Sequence, residues 1–204
     1  MATICVFCAS SERIDQTYVD LARDVGAELA RRGHDLVSGG GSVSSMGAVA
    51  RAARAGGART VGVIPRALTQ MEIADHDADE LVVTEDMRTR KGEMDRRADA
   101  FLALAGGIGT VEELMEIWVS RVLLMHDKPV VVLDPDGVFA PLREQVDLLV
   151  ERGFARPSVR DAIEWVTTVG EAFDALERRT PLLPPAGDEL LEAEPAVRDE
   201  QSEG

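Results

Sequence analysis

Aromatic and basic residues are scarce in this sequence. Aromatic side chains make up 4% of its 204 residues, whereas hydrophobic residues as a whole make up 45%. The interior must therefore be built from aliphatic side chains, and a chain of this length can bury one sizeable core. Lysine and arginine number 22 against 37 aspartates and glutamates, which gives a formal charge of −15. We do not expect so acidic a chain to bind nucleic acid.

Long hydrophobic runs are also missing. No stretch of the sequence reaches the roughly 18 apolar residues of a membrane span. The amino terminus has neither the basic region nor the long apolar region of a signal peptide. We therefore expect a cytoplasmic protein with no membrane partner.

Cysteine occurs only twice, at Cys5 and Cys8. A zinc ribbon needs a second Cys-x-x-Cys pair, and a thioredoxin-type pair opens a helix, whereas this pair belongs to an apolar run. Because residues three apart on a strand point to opposite faces, we expect two buried thiols and no metal or redox site. His76 lies in an acidic segment that we interpret as a polar loop and not as a metal site.

Apolar runs alternate with helical periodicity from residue 3 to about residue 178. This alternation predicts an α/β fold, a Rossmann-like doubly wound parallel sheet in one domain that spans residues 1–180. The strand runs are continuously apolar, as expected when helices cover both faces of the sheet. We predict strands at 3–7, 35–38, 60–64, 81–84, 101–104, 130–133 and 162–166, and helices at 15–32, 45–55, 87–97, 111–124, 138–151 and 169–179.

Residues 181–204 are predicted to form a disordered acidic tail. Four prolines interrupt this segment, and seven acidic residues follow residue 187 with Arg198 as the single base. Such a composition cannot bury enough apolar surface to fold. We expect the tail to be functionally silent, or regulatory at most.

The segment Ala105-Gly-Gly-Ile-Gly-Thr-Val-Glu-Glu113 separates a predicted strand from a predicted helix. Glycine lets a backbone approach a ligand closely, and a helix start offers free N–H groups and partial positive charge, so a phosphate suits this turn. The alternative is a capping box, in which Thr110 caps the helix and Glu113 reaches back to its N–H. This segment alone does not separate the two interpretations.

A basic cluster lies upstream of this turn, where five of the 22 basic residues fall within ten positions: Arg88, Arg90, Lys91, Arg96 and Arg97. An acidic protein that binds an anion needs a local positive site, and a guanidinium suits a phosphate. The alternative is a solvated basic face that is balanced by Asp86, Glu93 and Asp95.

Three loops follow predicted strands, at residues 9–11, 39–41 and 106–110. Ligands of such sheets bind at the carboxyl ends of the strands, so these loops are expected to line one crevice and to cradle a nucleotide. Neither glycine loop has the Gly-Lys-Ser/Thr ending of a P-loop, and Glu112 replaces the last glycine of a dinucleotide fingerprint. A redox dinucleotide is therefore disfavoured.

Together these segments resemble the LONELY GUY (LOG) family of cytokinin riboside 5′-monophosphate phosphoribohydrolases. That family carries Met-x-x-Arg-Lys and Pro-Gly-Gly-x-Gly-Thr-x-x-Glu motifs, which stand here as Met87-Arg-Thr-Arg-Lys91 and as residues 105–113. The resemblance extends over residues 3–178. It departs from the family at Ala105, which replaces the motif's proline, at Ser44-Ser45, and at Trp118, which replaces a small polar residue near the substrate of plant relatives.

The resemblance implies hydrolysis of the N-glycosidic bond of an N6-modified adenosine 5′-monophosphate, giving the free base and ribose 5-phosphate. It implies a nucleotide substrate, no metal, no cofactor and at least a homodimer. Glu113 is expected to stabilise the cationic ribosyl centre or to orient water, and Arg90 to position the substrate and help the base to leave. The remaining expected substrate contacts are Gly40, Gly41, Met46, Glu72, Lys91, Gly106, Gly107, Ile108, Gly109, Thr110, Val111 and Glu112.

Two other functions remain open on the sequence. A broader phosphoribohydrolase would act on plain AMP or other purine monophosphates. A carrier or sensor would share the nucleotide cradle without hydrolysis, although binding alone does not require a carboxylate beside a phosphate.

Overall fold

A computed structural model describes residues 1–69 and 74–178. Seven strands pair in parallel in the order β4-β3-β2-β1-β5-β6-β7. Their bounds are β1 Thr3–Phe7, β2 Asp35–Ser38, β3 Thr60–Pro65, β4 Glu80–Thr84, β5 Ala100–Leu104, β6 Val130–Leu133 and β7 Glu164–Val166. The predicted Rossmann-like parallel sheet is confirmed.

The described residues form six helices, of which the first five lie between strands and the sixth follows β7: α1 Gln16–Arg31, α2 Ser44–Ala55, α3 Met87–Arg97, α4 Ile108–Val122, α5 Ala140–Glu151 and α6 Val169–Glu177. Short 3₁₀ turns add Arg66–Leu68 and Pro157–Ala162. Each helix lies within three residues of its predicted limits. The largest shift is the start of α4, which begins at Ile108 and not at residue 111.

The sheet separates two apolar clusters. Helices α1, α2 and α6 cover one face, where Ile4, Val6 and Cys8 of the β1 region point. Helices α3, α4 and α5 cover the other face, where Cys5 and Phe7 point. Both thiols are free and buried, as predicted from their spacing.

The strand order reverses direction between β1 and β5. Strands β2 to β4 extend the sheet on one side of β1, and β5 to β7 extend it on the other. Successive connections therefore diverge at the carboxyl ends of β1 and β5, which opens a crevice where ligands of such sheets bind.

The predicted acidic tail at 181–204 and the predicted contact Glu72 lie outside the described residues. Within residues 1–69 and 74–178, no helix is long and apolar enough to cross a membrane.

Candidate active site

A pocket of about 390 Å³ occupies the crevice between the carboxyl ends of β1 and β5. Its walls come from the loops after these strands, from the starts of α1, α2 and α3, and from the first turns of α4. The lining residues are Cys8, Ala9, Ser10, Ser11, Ile14, Tyr18, Met46, Leu68, Met87, Arg90, Ala105, Gly106, Gly107, Gly109, Thr110, Glu113 and Val138.

Arg90 is held rigidly in the floor of this pocket. It lies on α3, whose start is capped by the Asp86 carboxylate accepting from the Thr89 N–H at 2.7 Å. Arg90 is 5% exposed, and its guanidinium donates to the carbonyls of Val63 at 3.0 Å and Gly39 at 3.4 Å. A third bond, from Nη1 to Oε1 of Glu113, measures 2.9 Å. With three acceptors in place, the charged group has one orientation.

The space for this guanidinium depends on a glycine. A Cβ atom at Gly39 would lie 2.0 Å from Nη2 of Arg90 and 3.0 Å from Cε of Met46. Gly39 therefore lets Arg90 pack directly on the backbone that follows β2.

Glu113 faces Arg90 from α4 and is 8% exposed. Burial raises the pKa of this carboxyl above its ordinary value, and the positive charge of Arg90 works in the opposite direction. A carboxyl with a raised pKa next to a fixed cation can stabilise positive charge or accept a proton from water.

The glycine turn places the start of α4 at the pocket. Gly107 is the N-cap residue, and no side chain caps the helix. The first N–H groups of α4 have no partner inside the helix, so they and the positive end of the helix dipole are free for an anion. The capping-box alternative is wrong, because the Thr110 hydroxyl donates to the Cys8 carbonyl at 3.2 Å and ties α4 to the end of β1.

The second glycine loop is built differently from the expected cradle. The N–H of Gly41 donates to the sulfur of Met46 at 3.1 Å, and the N–H of Gly40 to the Ser38 hydroxyl at 3.4 Å. Both donors are thus used within the loop, and neither glycine lines the pocket. Met46, the third predicted contact in this region, does line it.

Four other predicted contacts lie away from the pocket wall: Lys91, Ile108, Val111 and Glu112. The Lys91 ammonium bridges the carboxylates of Glu112 and Glu116 on the neighbouring helix. The side chain of Ile108 is 86% exposed, and Val111 packs against the core under α4. In these cases the sequence motif is adjacent to the pocket, but the side chains point elsewhere.

The basic cluster divides between the two interpretations of its sequence. Arg96 and Arg97 form surface ion pairs with Glu93 at 2.7 and 2.6 Å, as a solvated face predicts. Arg90 alone turns inward to the pocket. One helix therefore carries both a solvated basic face and a buried functional cation.

Sequence reasoning missed the apolar wall of the pocket, which is formed by Ile14, Tyr18, Leu68, Met87 and Val138. Ile14 and Tyr18 have a detectable signal, because they are four apart at the helix start that follows the β1 loop. Leu68 and Val138 lie in connections whose path the sequence does not reveal.

Trp118, which departs from the family pattern, is a core residue. It is 2% exposed, its indole N–H donates to the Val159 carbonyl at 2.9 Å, and its ring meets that of Trp165 edge-on. The ring does not line the pocket.

Known proteins resemble this chain over most of its length. A family profile described as possible lysine decarboxylase matches residues 46–176. The chain is 49% identical over 179 residues to the cytokinin riboside 5′-monophosphate phosphoribohydrolase of Mycobacterium marinum (strain ATCC BAA-535 / M), covering 88% of this chain and 94% of that protein. It is 43% identical over 178 residues to an Arabidopsis thaliana protein of the same activity name, covering 87% and 83%.

Solved structures share the fold at lower identity. The molybdenum cofactor binding protein of Rippkaea orientalis superposes with a TM-score of 0.64 at 20% identity, covering 85% of this chain and 93% of that one. The molybdenum cofactor carrier protein of Chlamydomonas reinhardtii gives 0.63 at 21% identity, covering 87% and 97%. The profile, the close relatives and the two sequence motifs agree, and the chain belongs to the LONELY GUY family.

Proposed function

We propose that this protein hydrolyses the N-glycosidic bond of N6-modified adenosine 5′-monophosphates to the free base and ribose 5-phosphate. The observation that carries the proposal is the buried Arg90–Glu113 pair in the floor of a pocket that also contains a helix start. The activity named for relatives at 43–49% identity supports the same reaction.

The 5′-phosphate binds at the glycine turn. Gly106, Gly107 and Gly109 leave the backbone of this turn accessible, and the N–H groups at the start of α4 point to the anion. Thr110 holds the turn against β1 through its bond to Cys8. In this proposal the ribose lies next to Glu113.

Glu113 and Arg90 act on the bond that breaks. Loss of the base leaves positive charge on the ribosyl centre, which a carboxylate in a buried site stabilises strongly. Glu113 supplies this carboxylate and takes a proton from the attacking water. Arg90 fixes the Glu113 carboxylate and offers positive charge to the departing base.

The base lies against the apolar wall of the pocket. Ile14, Tyr18, Leu68, Met87 and Val138 supply aliphatic and aromatic surface there. An alkyl group on N6 of adenine buries more apolar area on such a wall than plain adenine does, which favours the modified nucleotide. No lysine is found among the described residues that line the pocket, so the profile's decarboxylase description has no Schiff-base lysine to rest on.

We also propose that the chain forms a homodimer in the cytoplasm. Four apolar residues are exposed at or just after the end of α4, namely Val119, Leu123, Leu124 and Met125. Exposed apolar residues grouped within seven positions of the chain are typical of an interface. The free thiols of Cys5 and Cys8 fit a reducing compartment. Glu72 and Lys91 also remain proposed substrate contacts. In this proposal their side chains contact the nucleotide once a substrate or a partner chain has bound.

The test is to incubate the protein separately with AMP and with isopentenyladenosine 5′-monophosphate and to quantify free base and ribose 5-phosphate. Faster release from the prenylated nucleotide supports the proposal. Preference for AMP replaces it with a general purine monophosphate hydrolase. Binding of both nucleotides without release of either base replaces it with a carrier or sensor.

A further inference from the structure

A second, smaller pocket lies behind Glu113, between α3 and α4. Its volume is about 60 Å³, several times the roughly 10–15 Å³ that one water molecule needs. It is lined by Phe7, Lys91, Gly92, Asp95, Glu113, Glu116, Ile117 and Ser120. Most of these residues are absent from the wall of the larger pocket, and Glu113 is the one residue that lines both pockets.

The hydrogen bonding of Glu113 fits this two-sided position. Oε1 accepts from Arg90, and no hydrogen bond from the described residues reaches Oε2. One end of the carboxyl is thus fixed by protein, while the group as a whole borders two separate spaces.

Hydrolysis creates a proton that must leave Glu113. The C1′–N bond breaks and a C1′–O bond forms to water, whose proton passes to Glu113, while the departing base takes a proton from solvent. The net change is one water consumed, but Glu113 remains protonated until it loses that proton. The larger pocket still holds the two products at this stage, so a path through it is obstructed.

We propose that the smaller pocket is the proton exit of Glu113, a short water-filled passage between α3 and α4 that returns the carboxyl to its ionised form after each turnover. This inference rests on the proposed hydrolysis. Part of the wall of the passage suits water, because Asp95, Glu116 and Ser120 offer oxygen atoms along it.

The charges around Glu113 are compatible with this role. Arg90 and Lys91 on α3 and the neighbouring Glu112 are the charged groups that act on Glu113, and Asp95 and Glu116 line the same small pocket. Burial raises the thiol pKa values of Cys5 and Cys8, which the charge of Glu113 also raises. Burial also raises the pKa of Glu113 itself, so the proton does not leave without an acceptor close by.

Gly92 provides a way to close the passage without touching the substrate pocket. It lies within α3 and lines the smaller pocket, and a Cβ atom there meets nothing within 4 Å. Because the Cβ position is open, a Gly92→Leu side chain adds bulk at the wall of the smaller pocket without a clash, and leucine favours a helix more than glycine does. Ser120→Leu closes the same space from α4. The matched control is Gly170→Leu on α6, where a Cβ also meets nothing within 4 Å.

The experiment compares single-turnover and steady-state rates of base release. With enzyme in excess, Glu113 starts ionised, so Gly92→Leu and Ser120→Leu are expected to keep the wild-type single-turnover rate. Their steady-state kcat is expected to fall about ten-fold, with a larger solvent deuterium isotope effect, and Gly170→Leu to match the wild type in both.

Two results overturn the inference. Unchanged steady-state rates in both closed variants mean that protons leave by another path. An equal loss in single-turnover and steady-state rates means that the pocket only supports the position of Glu113. Failure of the proposed function looks different, because the wild-type protein then releases no base in either experiment.

Discussion

Arg90 and Glu113 form a buried ion pair that joins α3 to α4 across the floor of the pocket. Their Nη1 and Oε1 atoms are 2.9 Å apart, and the carbonyls of Val63 and Gly39 fix the same guanidinium. Removing one partner of such a pair leaves the other charge buried and unpaired, which destabilises strongly. Substitutions that keep shape and hydrogen bonding therefore separate chemistry from folding better than alanine does.

Glu113→Gln is expected to lower turnover by about 10²- to 10⁴-fold while the protein stays folded. The amide oxygen still accepts from Arg90, but the negative charge that stabilises the ribosyl cation is gone. Base release and thermal unfolding are measured together, with exposed Glu144→Gln on α5 as the control. A variant that melts earlier yet turns over normally would falsify the catalytic role of Glu113.

Gly39→Ala is expected to reduce turnover by about 10²-fold, because displacing a catalytic group by about 1 Å has an effect of this size. The new methyl group would lie 2.0 Å from Nη2 of Arg90, so the guanidinium must shift from the position in which it bonds to Glu113. Steady-state kinetics of Gly39→Ala are compared with those of Gly170→Ala, where the added Cβ meets nothing within 4 Å. Equal rates in the two variants contradict the packing of Arg90 on Gly39.

The sheet was predictable because its central strands are buried on both faces and therefore read as continuous apolar runs. The start of α4 was predicted three residues late, since Thr110 and Glu113 match a local capping pattern. The actual partner of Thr110 is the carbonyl of Cys8, 102 positions away, and only the folded chain brings the two together.

The candidate site was predictable where one motif supplies both position and chemistry, as at Arg90 and Glu113. It was not predictable at Gly40 and Gly41, whose sequence fits a phosphate cradle although Ser38 and Met46 occupy their N–H groups. The apolar wall was missed for another reason. Tyr18 and Val138 come from opposite sides of the crevice, and no local pattern marks residues that meet only across a pocket.

Thr110→Val is expected to lower the free energy of unfolding by about 1–3 kcal/mol and to raise KM for the nucleotide more than it lowers kcat. Valine keeps the shape of threonine but leaves the buried Cys8 carbonyl without its donor, which loosens the phosphate turn. Denaturant unfolding and steady-state kinetics provide the readout. Thr110→Ser keeps the hydroxyl and is expected to behave like the wild type. Equal behaviour of the valine and serine variants refutes the tether.

Leu123→Glu is expected to convert a dimer into a monomer, because it places a charge in the exposed apolar surface at the end of α4. Sedimentation velocity of the wild-type protein should give twice the mass of one chain. Phe154→Glu serves as the control, since Phe154 is also hydrophobic and exposed but lies beyond α5. A wild-type monomer, or a dimer that persists in Leu123→Glu, removes this surface from the proposed interface.

The pH dependence of the site follows from the opposing effects on Glu113. Burial raises its pKa above the ordinary value of 4.5, and Arg90 lowers it. The ionised carboxyl is the active form, so kcat/KM is expected to rise with pH through a pKa above 4.5. The free energy of unfolding depends on pH in the opposite direction. A carboxyl whose pKa is higher in the folded state stabilises the fold most below its unfolded pKa, and this stabilisation is lost as pH rises through the folded pKa.

Arg90→Gln removes the charge that lowers this pKa, so the Glu113 pKa is expected to rise further. Carbon-13 NMR of the labelled Glu113 carboxyl measures the titration directly, even where the variant is too slow for kinetics. The unfolding free energy of Arg90→Gln should also fall more steeply than that of the wild type as pH rises above 4.5, because an ionised Glu113 then has no cation beside it. A Glu113 pKa that is unchanged or lower in the variant would show that Arg90 does not control the carboxyl, and that its role is confined to the substrate.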